Sequence, residues 1–143
     1  MTSIEAVFAA LFAKLSGVAT FATSGRRLVN VQDMQPEQFP AAFQLEGKQK
    51  WKFSPNAPPV LTLSATWVLY TFQTDPAAAQ STPLNLLLDA VRQAMQPPGG
   101  QIKQTLGALV EYAAIDGVVD IFEGVLGERA VALVPITIVM PGW

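Results

Sequence analysis

Residues 130–140 read Ala-Val-Ala-Leu-Val-Pro-Ile-Thr-Ile-Val-Met, and Thr137 is their one polar side chain. An extended strand points successive side chains to opposite faces, so a run this apolar predicts a strand covered on both. A second apolar run precedes it at residues 106–122. The two are separated by Glu-Gly-Val-Leu-Gly-Glu-Arg, whose two glycines and three charges (Glu123, Glu128 and Arg129) predict the turn of an antiparallel hairpin. Helices of the same chain can cover one face of that hairpin. What covers the other is the functional question.

Pro135 bears on it. Proline inside a strand removes a ladder donor, so the chain there is expected at a sheet edge or a bulge. An edge would let a neighbouring subunit lie against Val131, Leu133 and Pro135, and a bulge would bend the strand over the helices. The sequence leaves both open.

Composition narrows the partners. The 143 residues predict a single domain, 1–143, with enough chain to bury a sizeable core. Charged residues make up 14% against a usual share of about 25%, which leaves little charge to cover a monomer and points to a surface used as interface. Net charge is −2, with no bias toward nucleic acid or anionic membrane. Cysteine and histidine are absent, which removes disulfides, thiolate metal sites, the commonest general base and the commonest transition-metal ligand. The apolar stretch at residues 6–13 follows Glu5 rather than a basic region, and no run reaches the roughly 18 residues of a membrane helix, so a soluble, unexported protein is expected.

In chain order, Thr2-Ser3-Ile4-Glu5 fits a capping box with Thr2 at the cap. Ile4, Val7, Phe8, Leu11, Phe12 and Leu15 then recur at helical spacing, and Gly17 is a natural stop. Residues 20–23 and 28–31 are short strand candidates around a Ser24-Gly25-Arg26-Arg27 turn. From Ala41 the chain alternates, with Ala41, Phe43 and Leu45 on one face and Gln44 and Glu46 on the other. Lys48, Lys50 and Lys52 continue that alternation with Trp51 and Phe53 between them. Three prolines in residues 54–59 predict a break. Residues 60–72 form the longest strand, with Leu61, Leu63, Ala65, Trp67 and Leu69 on one face. Thr82 and Pro83 open a second helix whose stripe is Leu84, Leu87, Leu88, Val91 and Met95. The sum is an α+β domain: a mostly antiparallel sheet of four to six strands, two α-helices packed on one face, and a C-terminal β-hairpin.

Sites of chemistry are few. Asp116, Asp120, Glu123 and Glu128 match no calcium-loop spacing and read as solvated turn residues. No nucleophile elbow, phosphate loop or dinucleotide fingerprint is present. The expectation is therefore no catalytic residue, no metal ligand and no cofactor. Lys48, Lys50 and Lys52 with Trp51 and Phe53 are basic and aromatic together, as a nucleic-acid surface can be. Lysines on one strand face also keep a sheet edge from pairing with strangers or form a subunit contact, and this is the reading preferred.

The order of elements, Pro40-Ala-Ala-Phe at the start of a strand, the long strand of residues 60–72 and Leu84-Asn-Leu-Leu-Leu-Asp-Ala-Val resemble the tail terminator (tail completion) proteins of tailed bacteriophages. So do Thr105-Leu-Gly-Ala-Leu-Val, Ile115-Asp-Gly, Glu123-Gly-Val-Leu-Gly and Ala130-Val-Ala-Leu-Val-Pro-Ile. The likeness spans nearly the whole chain, its motifs are structural rather than catalytic, and neck and minor tail proteins share much of it. It implies a virion protein without enzymatic activity, assembled in the host cytoplasm. Such proteins form a homo-oligomeric ring, usually a hexamer, that caps the head-proximal end of the tail tube, ends its polymerisation and offers a surface for head–tail joining. The implied partners are further copies of the chain, the tail tube protein and a head-completion or connector protein, with passive DNA contact in the lumen and no membrane. A ring needs two different patches per subunit. The residues expected to supply them are Lys48, Lys50, Trp51, Lys52 and Phe53 on one side, and Glu123, Leu126, Glu128, Arg129, Val131, Leu133 and Pro135 on the other. Two rival classes stay open: a small nucleic-acid-binding module using residues 48–53 and Arg26-Arg27, and a stand-alone ligand-binding or enzymatic domain.

Overall fold

The apolar run at residues 130–140 lies in the interior of the sheet. The computed structural model describes residues 2–143, and the side chains of Val125 and Leu126 fall outside that description. In order the elements are α1 (Ile4–Ser16), β1 (Thr23–Gly25), two 3-10 turns (Val31–Asp33 and Pro36–Gln38), β2 (Ala41–Ser54), β3 (Ala57–Phe72), α2 (Ser81–Ala94), β4 (Tyr112–Ile115), β5 (Asp120–Leu126) and β6 (Arg129–Pro141). The six strands form one sheet, β1-β2-β3-β6-β4, with β5 also paired to β6. Only β1–β2 is parallel. The architecture is α+β, and a C-terminal hairpin joins β5 to β6.

β3 pairs with β6 from Val60↔Pro141 to Phe72↔Arg129. The opposite edge of β6 is shared, with β5 beside Ala132 and Leu133 and β4 beside Ile136 to Val139. Pro135 sits at the gap between those two partners, where its carbonyl accepts the Asp116 N–H at 3.1 Å. A strand residue aims its N–H and C=O to the same side, so the donor that proline lacks would have pointed into the gap. This corrects the edge reading: β6 is interior, and Pro135 marks an interruption within the chain's own ladder.

Both helices pack on one face. Val7, Phe8, Leu11 and Leu15 of α1 and Leu84, Leu87 and Val91 of α2, with Met95 at its end, meet Leu61, Leu63, Ala65, Trp67 and Leu69 of β3. Ala130, Ala132, Val134, Ile136, Ile138 and Met140 of β6 complete this core. Truncating one such fully buried leucine to alanine costs about 2–5 kcal/mol. Among the described residues no helix is long and apolar enough to cross a membrane.

Several local expectations change. Ser3, not Thr2, caps α1, its hydroxyl accepting the Ala6 N–H at 3.0 Å. Glu5 is thereby free to pair with Arg26, whose guanidinium also reaches Glu46 at 3.2 Å. Strands at residues 20–23 and 28–31 do not form as a hairpin; of these stretches only the end of the first enters a strand, Thr23–Gly25, and it runs parallel to β2. The break expected over residues 54–59 shrinks to Pro55-Asn56, because Pro58 and Pro59 are tolerated in the first residues of β3. The strand expected from residue 106 begins only at Tyr112, since Leu106, Gly107 and Ala108 all take positive φ. Gln80, not Thr82, stands at the cap of α2.

The largest change is in β2. Glu46 pairs with Ala65 and Gln49 with Leu63, so Gly47 and Lys48 together oppose the single residue Ser64. This is a β-bulge, and the extra residue inverts the faces beyond it. Simple alternation would place the three lysines on the face of Gln44 and Glu46, toward the helices. After the bulge, Lys50 pairs with Thr62 and Lys52 with Val60, on the face of Phe43 and Leu45.

Candidate interaction surface

The face turned away from the helices carries Tyr70, Val68, Thr66, Ser64, Thr62 and Val60 from β3. Beside them stand Val131, Leu133, Pro135, Thr137 and Val139 of β6, and Phe43 and Leu45 of β2. Its two halves differ.

The half near Tyr70 is strapped by the segment between β1 and β2. Val31 and Met34 come down onto Phe43, Val68, Tyr70 and Val131, forming a second buried cluster with Phe39, Leu45 and Leu133 at its margins. Two polar contacts hold the strap. The Tyr70 hydroxyl donates to the Val29 carbonyl at 2.9 Å, and Arg129 Nη2 donates to the Met34 carbonyl at 3.1 Å. The Arg129 guanidinium also lies 5.9 Å from the Phe39 ring centre and 5.7 Å from that of Phe72, within cation–π reach. Burial raises the Tyr70 phenol above its ordinary pKa, partly offset by the Val31 backbone.

Beside the strap an apolar trough of about 540 Å³ stays open. Leu28, Leu45, Val68, Phe122 and Leu133 line it, and Leu28 and Phe122 are each nearly half exposed, at 46% and 45%. The other half of the face has no strap. There Thr62, Ser64, Thr66 and Thr137 are half-buried, and Lys48, Lys50 and Lys52 stand exposed along its margin. None of the three lysines has a carboxylate within ion-pair distance among the described residues. β1 pairs only with Ala41 to Phe43, so the outer edge of β2 beyond Phe43 is unpaired among the described residues. The lysine row therefore lies on an open sheet edge, the placement that edge protection requires.

The residues expected at an interface separate accordingly. Lys48, Lys50, Lys52 and Leu133 belong to the open face. Trp51 projects to the helix side, opposite Leu61, and its ring lies 6.5 Å from Trp143. Phe53 is 73% exposed near the tip of the β2–β3 hairpin. Glu123 and Glu128 are exposed beside the β5–β6 turn, and the side chain of Leu126 lies outside the described residues. Two positions need correction. Val131 is only 7% exposed because Val31 and Met34 cover it. Arg129 is no free turn charge, being engaged with Met34, Phe39 and Phe72 of its own chain. Half-buried Pro135 fills the gap between β4 and β5, where a β-carbon at Gly117 would come within 3.2 Å of its ring.

Leu28, Leu45 and Phe122 were not expected to meet. Their only sequence signal is apolar character, and Leu28 reads as a strand residue from its neighbours Val29 and Val31. The acids Asp116, Asp120, Glu123 and Glu128 are all exposed. Among the described residues no three acidic side chains converge as metal ligands. No protein-family model matches the chain, and no curated protein sequence matches it.

Proposed function

We propose that this protein is a structural assembly subunit whose open sheet face packs against another copy of the chain. The observation that carries this reading is the trough formed by Leu28, Leu45, Phe122 and Leu133, continuous with an unstrapped half-face. Contiguous apolar surface of that kind beside a polar rim is the usual mark of a protein contact. The low share of charged residues supports it. With the resemblance to tail terminator proteins, the reading becomes a closed ring, of six subunits in that family, located in the virion. It caps a phage tail tube at its head-proximal end, ends tube growth and receives the head-completion protein. Ring closure would join the trough of one subunit to a different patch on the next. The exposed β2–β3 hairpin, with Lys50, Lys52 and Phe53, is the patch assigned here.

Size-exclusion chromatography with light scattering, over a range of protein concentrations, tests the self-association. The wild-type chain should form a defined oligomer. Leu133→Asp, which charges the trough from a half-buried position, should give a folded monomer. Val131→Asp is the poor choice, because Val131 is buried under the strap. A wild-type protein monomeric at every concentration, with or without purified tail tubes, would overturn the reading. So would a Leu133→Asp variant that is folded and still assembles.

A second reading rests on the lysine row. Strand residues two apart are about 6.6 Å apart, so Lys48, Lys50 and Lys52 present a line of cations with no ion-pair partner among the described residues. That line suits a phosphodiester backbone, either free or in the lumen of a ring. DNA binding that weakens steeply with salt, and is lost in a Lys50→Gln/Lys52→Gln variant that still assembles, would favour it.

A further inference from the structure

The sheet has two open edges, β2 beyond Phe43 and the outer side of β5, and bonds within the ladder orient the backbone at each. The Gly142 N–H donates to the Pro59 carbonyl at 2.8 Å, so odd-numbered residues of β3 aim their backbone at β6 and even-numbered ones at β2. Lys50 opposite Thr62 and Lys52 opposite Val60 are therefore bonded inward, and Trp51 between them aims its N–H and C=O out of the edge. On the far side the carbonyls of Pro135 and Val139 accept from Asp116 and Glu111, so odd-numbered residues of β6 aim at β4 and β5. Asp120 opposite Leu133 and Phe122 opposite Val131 are bonded inward, and Ile121 aims its N–H and C=O outward. Trp51 and Ile121 are 51% and 47% exposed, and both lie on the helix side, opposite Leu61 and Ala132.

The two edges carry opposite charge. Lys50 and Lys52 flank Trp51, whereas Asp120 and Glu123 flank Ile121 and Phe122, and none of the four has an ion-pair partner among the described residues. β2 is antiparallel to β3, β3 to β6 and β6 to β5, so β2 and β5 run in opposite directions. A second copy that continues the sheet therefore sets its β2 antiparallel to β5.

We propose that the β2 edge of one copy pairs with the β5 edge of the next, as an antiparallel strand pair with Trp51 opposite Ile121. This pairing rests on the self-association proposed above and gives it a backbone joint. Trp51 and Ile121 exchange both N–H···O bonds, since each aims its free groups outward. In the same register Lys52 stands opposite Asp120 and Lys50 opposite Phe122 on the open face, while the Trp51 ring faces Ile121 on the helix side. Opposite charges across strands stabilise a pair and like charges directly opposite destabilise it. Two β2 edges would set lysines against lysines, and two β5 edges acids against acids. The contact is therefore head to tail, as ring closure requires. β1 occupies the edge at Ala41 to Phe43, so the neighbour is displaced along the strands, and closing a sheet on itself needs such a stagger.

Light scattering on size-exclusion fractions of the full chain tests the pairing with two variants, Lys50→Glu/Lys52→Glu and Asp120→Lys/Glu123→Lys. All four positions are exposed. Each variant alone should stay monomeric at concentrations several-fold above that at which the wild type assembles. An equal mixture should recover the wild-type mass, because every β2 edge then meets a β5 edge of opposite charge. In the wild type, amide exchange at Trp51 and Ile121 should slow several-fold when the protein is raised from below to above its assembly concentration. A wild type that assembles while either variant also assembles alone, or while the mixture stays monomeric, overturns the pairing and leaves the self-association standing. Unchanged exchange at the two amides in an assembled wild type does the same. A wild type that never assembles overturns both. Should a variant fail to fold, amide exchange in the wild type still decides.

Discussion

Trp67 donates its indole N–H to the side-chain oxygen of Gln44 at 3.0 Å, across the β2–β3 pairing and out of contact with solvent. Gln44 in turn donates from its amide nitrogen to the carbonyl of Phe8 at 2.8 Å, which ties the sheet to α1. The Gln44 oxygen therefore satisfies the buried indole N–H, and the indole satisfies that oxygen. Gln44→Leu would keep the volume and orphan the indole N–H. The expected loss is about 1–3 kcal/mol of unfolding free energy, the usual cost of an unpaired buried donor. Urea unfolding followed by tryptophan fluorescence measures it, and an unchanged midpoint would mean the relay adds no stability.

Gly117 and Pro135 form a second such unit. Gly117 has φ of +123°, and a β-carbon there would approach the Pro135 ring. Gly117→Ala should cost about 1–3 kcal/mol through the backbone conformation alone, with the steric contact added. Pro135→Ala in the same chain removes the ring contact and restores a backbone N–H that points into the gap, so it should recover part of the loss and never all of it. Full recovery in the double variant would show that the glycine is there for space rather than for conformation.

Tyr70 gives a pH dependence of defined sign. Burial raises its folded pKa above the ordinary value of about 10. A group raised in the fold contributes stability that is fully present below the unfolded pKa and is lost as pH climbs through the folded one. Tyr70→Phe lacks this titration and also lacks the bond to the Val29 carbonyl, a loss of about 0.5–1.5 kcal/mol near neutrality. The gap between wild type and variant should therefore hold below about pH 9 and narrow as pH climbs past the ordinary value of about 10. Denaturant midpoints of the two proteins from neutral pH to well above about pH 10 check it, and a constant gap would mean that Tyr70 does not lose stability on ionising.

The readable parts of this chain were the periodic ones. The stripes of α1 and α2, the alternation of β3 from Leu61 to Leu69 and the apolar length of β6 each carry their partner face in their own spacing. What was not readable depended on contacts distant in sequence. Gln44 looked like a wet-side residue because only Trp67, on the next strand, makes its burial possible. Residues 28–31 read as a strand because Leu28, Val29 and Val31 are apolar and the two valines β-branched, whereas Asn30 caps a 3-10 turn by accepting the Gln32 N–H at 3.0 Å. Pro135 signalled a break in the ladder, but not which chain lay beside it. The trough was least legible of all, since its lining comes from the strap, β2, β3, β5 and β6.

The bulge at Gly47 and Lys48 decides which side of the sheet becomes basic, and it can be tested as a pair. Ser64 is the single residue facing both, and its Oγ accepts the Lys48 N–H at 2.6 Å and donates back to the Lys48 carbonyl at 3.3 Å. A β-carbon at Gly47 would overlap that oxygen. Gly47→Ala therefore forces the hydroxyl off Lys48 or bends the strand, at an expected cost of about 1–3 kcal/mol. Ser64→Ala alone should cost less, because the Lys48 backbone lies where water can replace the hydroxyl. The double variant has room for the new methyl, so the two changes should couple by about 0.5–3 kcal/mol. Thermal or urea unfolding of the four proteins closes the cycle. Additive losses would mean that the fit between Gly47 and Ser64 does not hold the bulge, and the position of the lysine row on the open face would then need another cause.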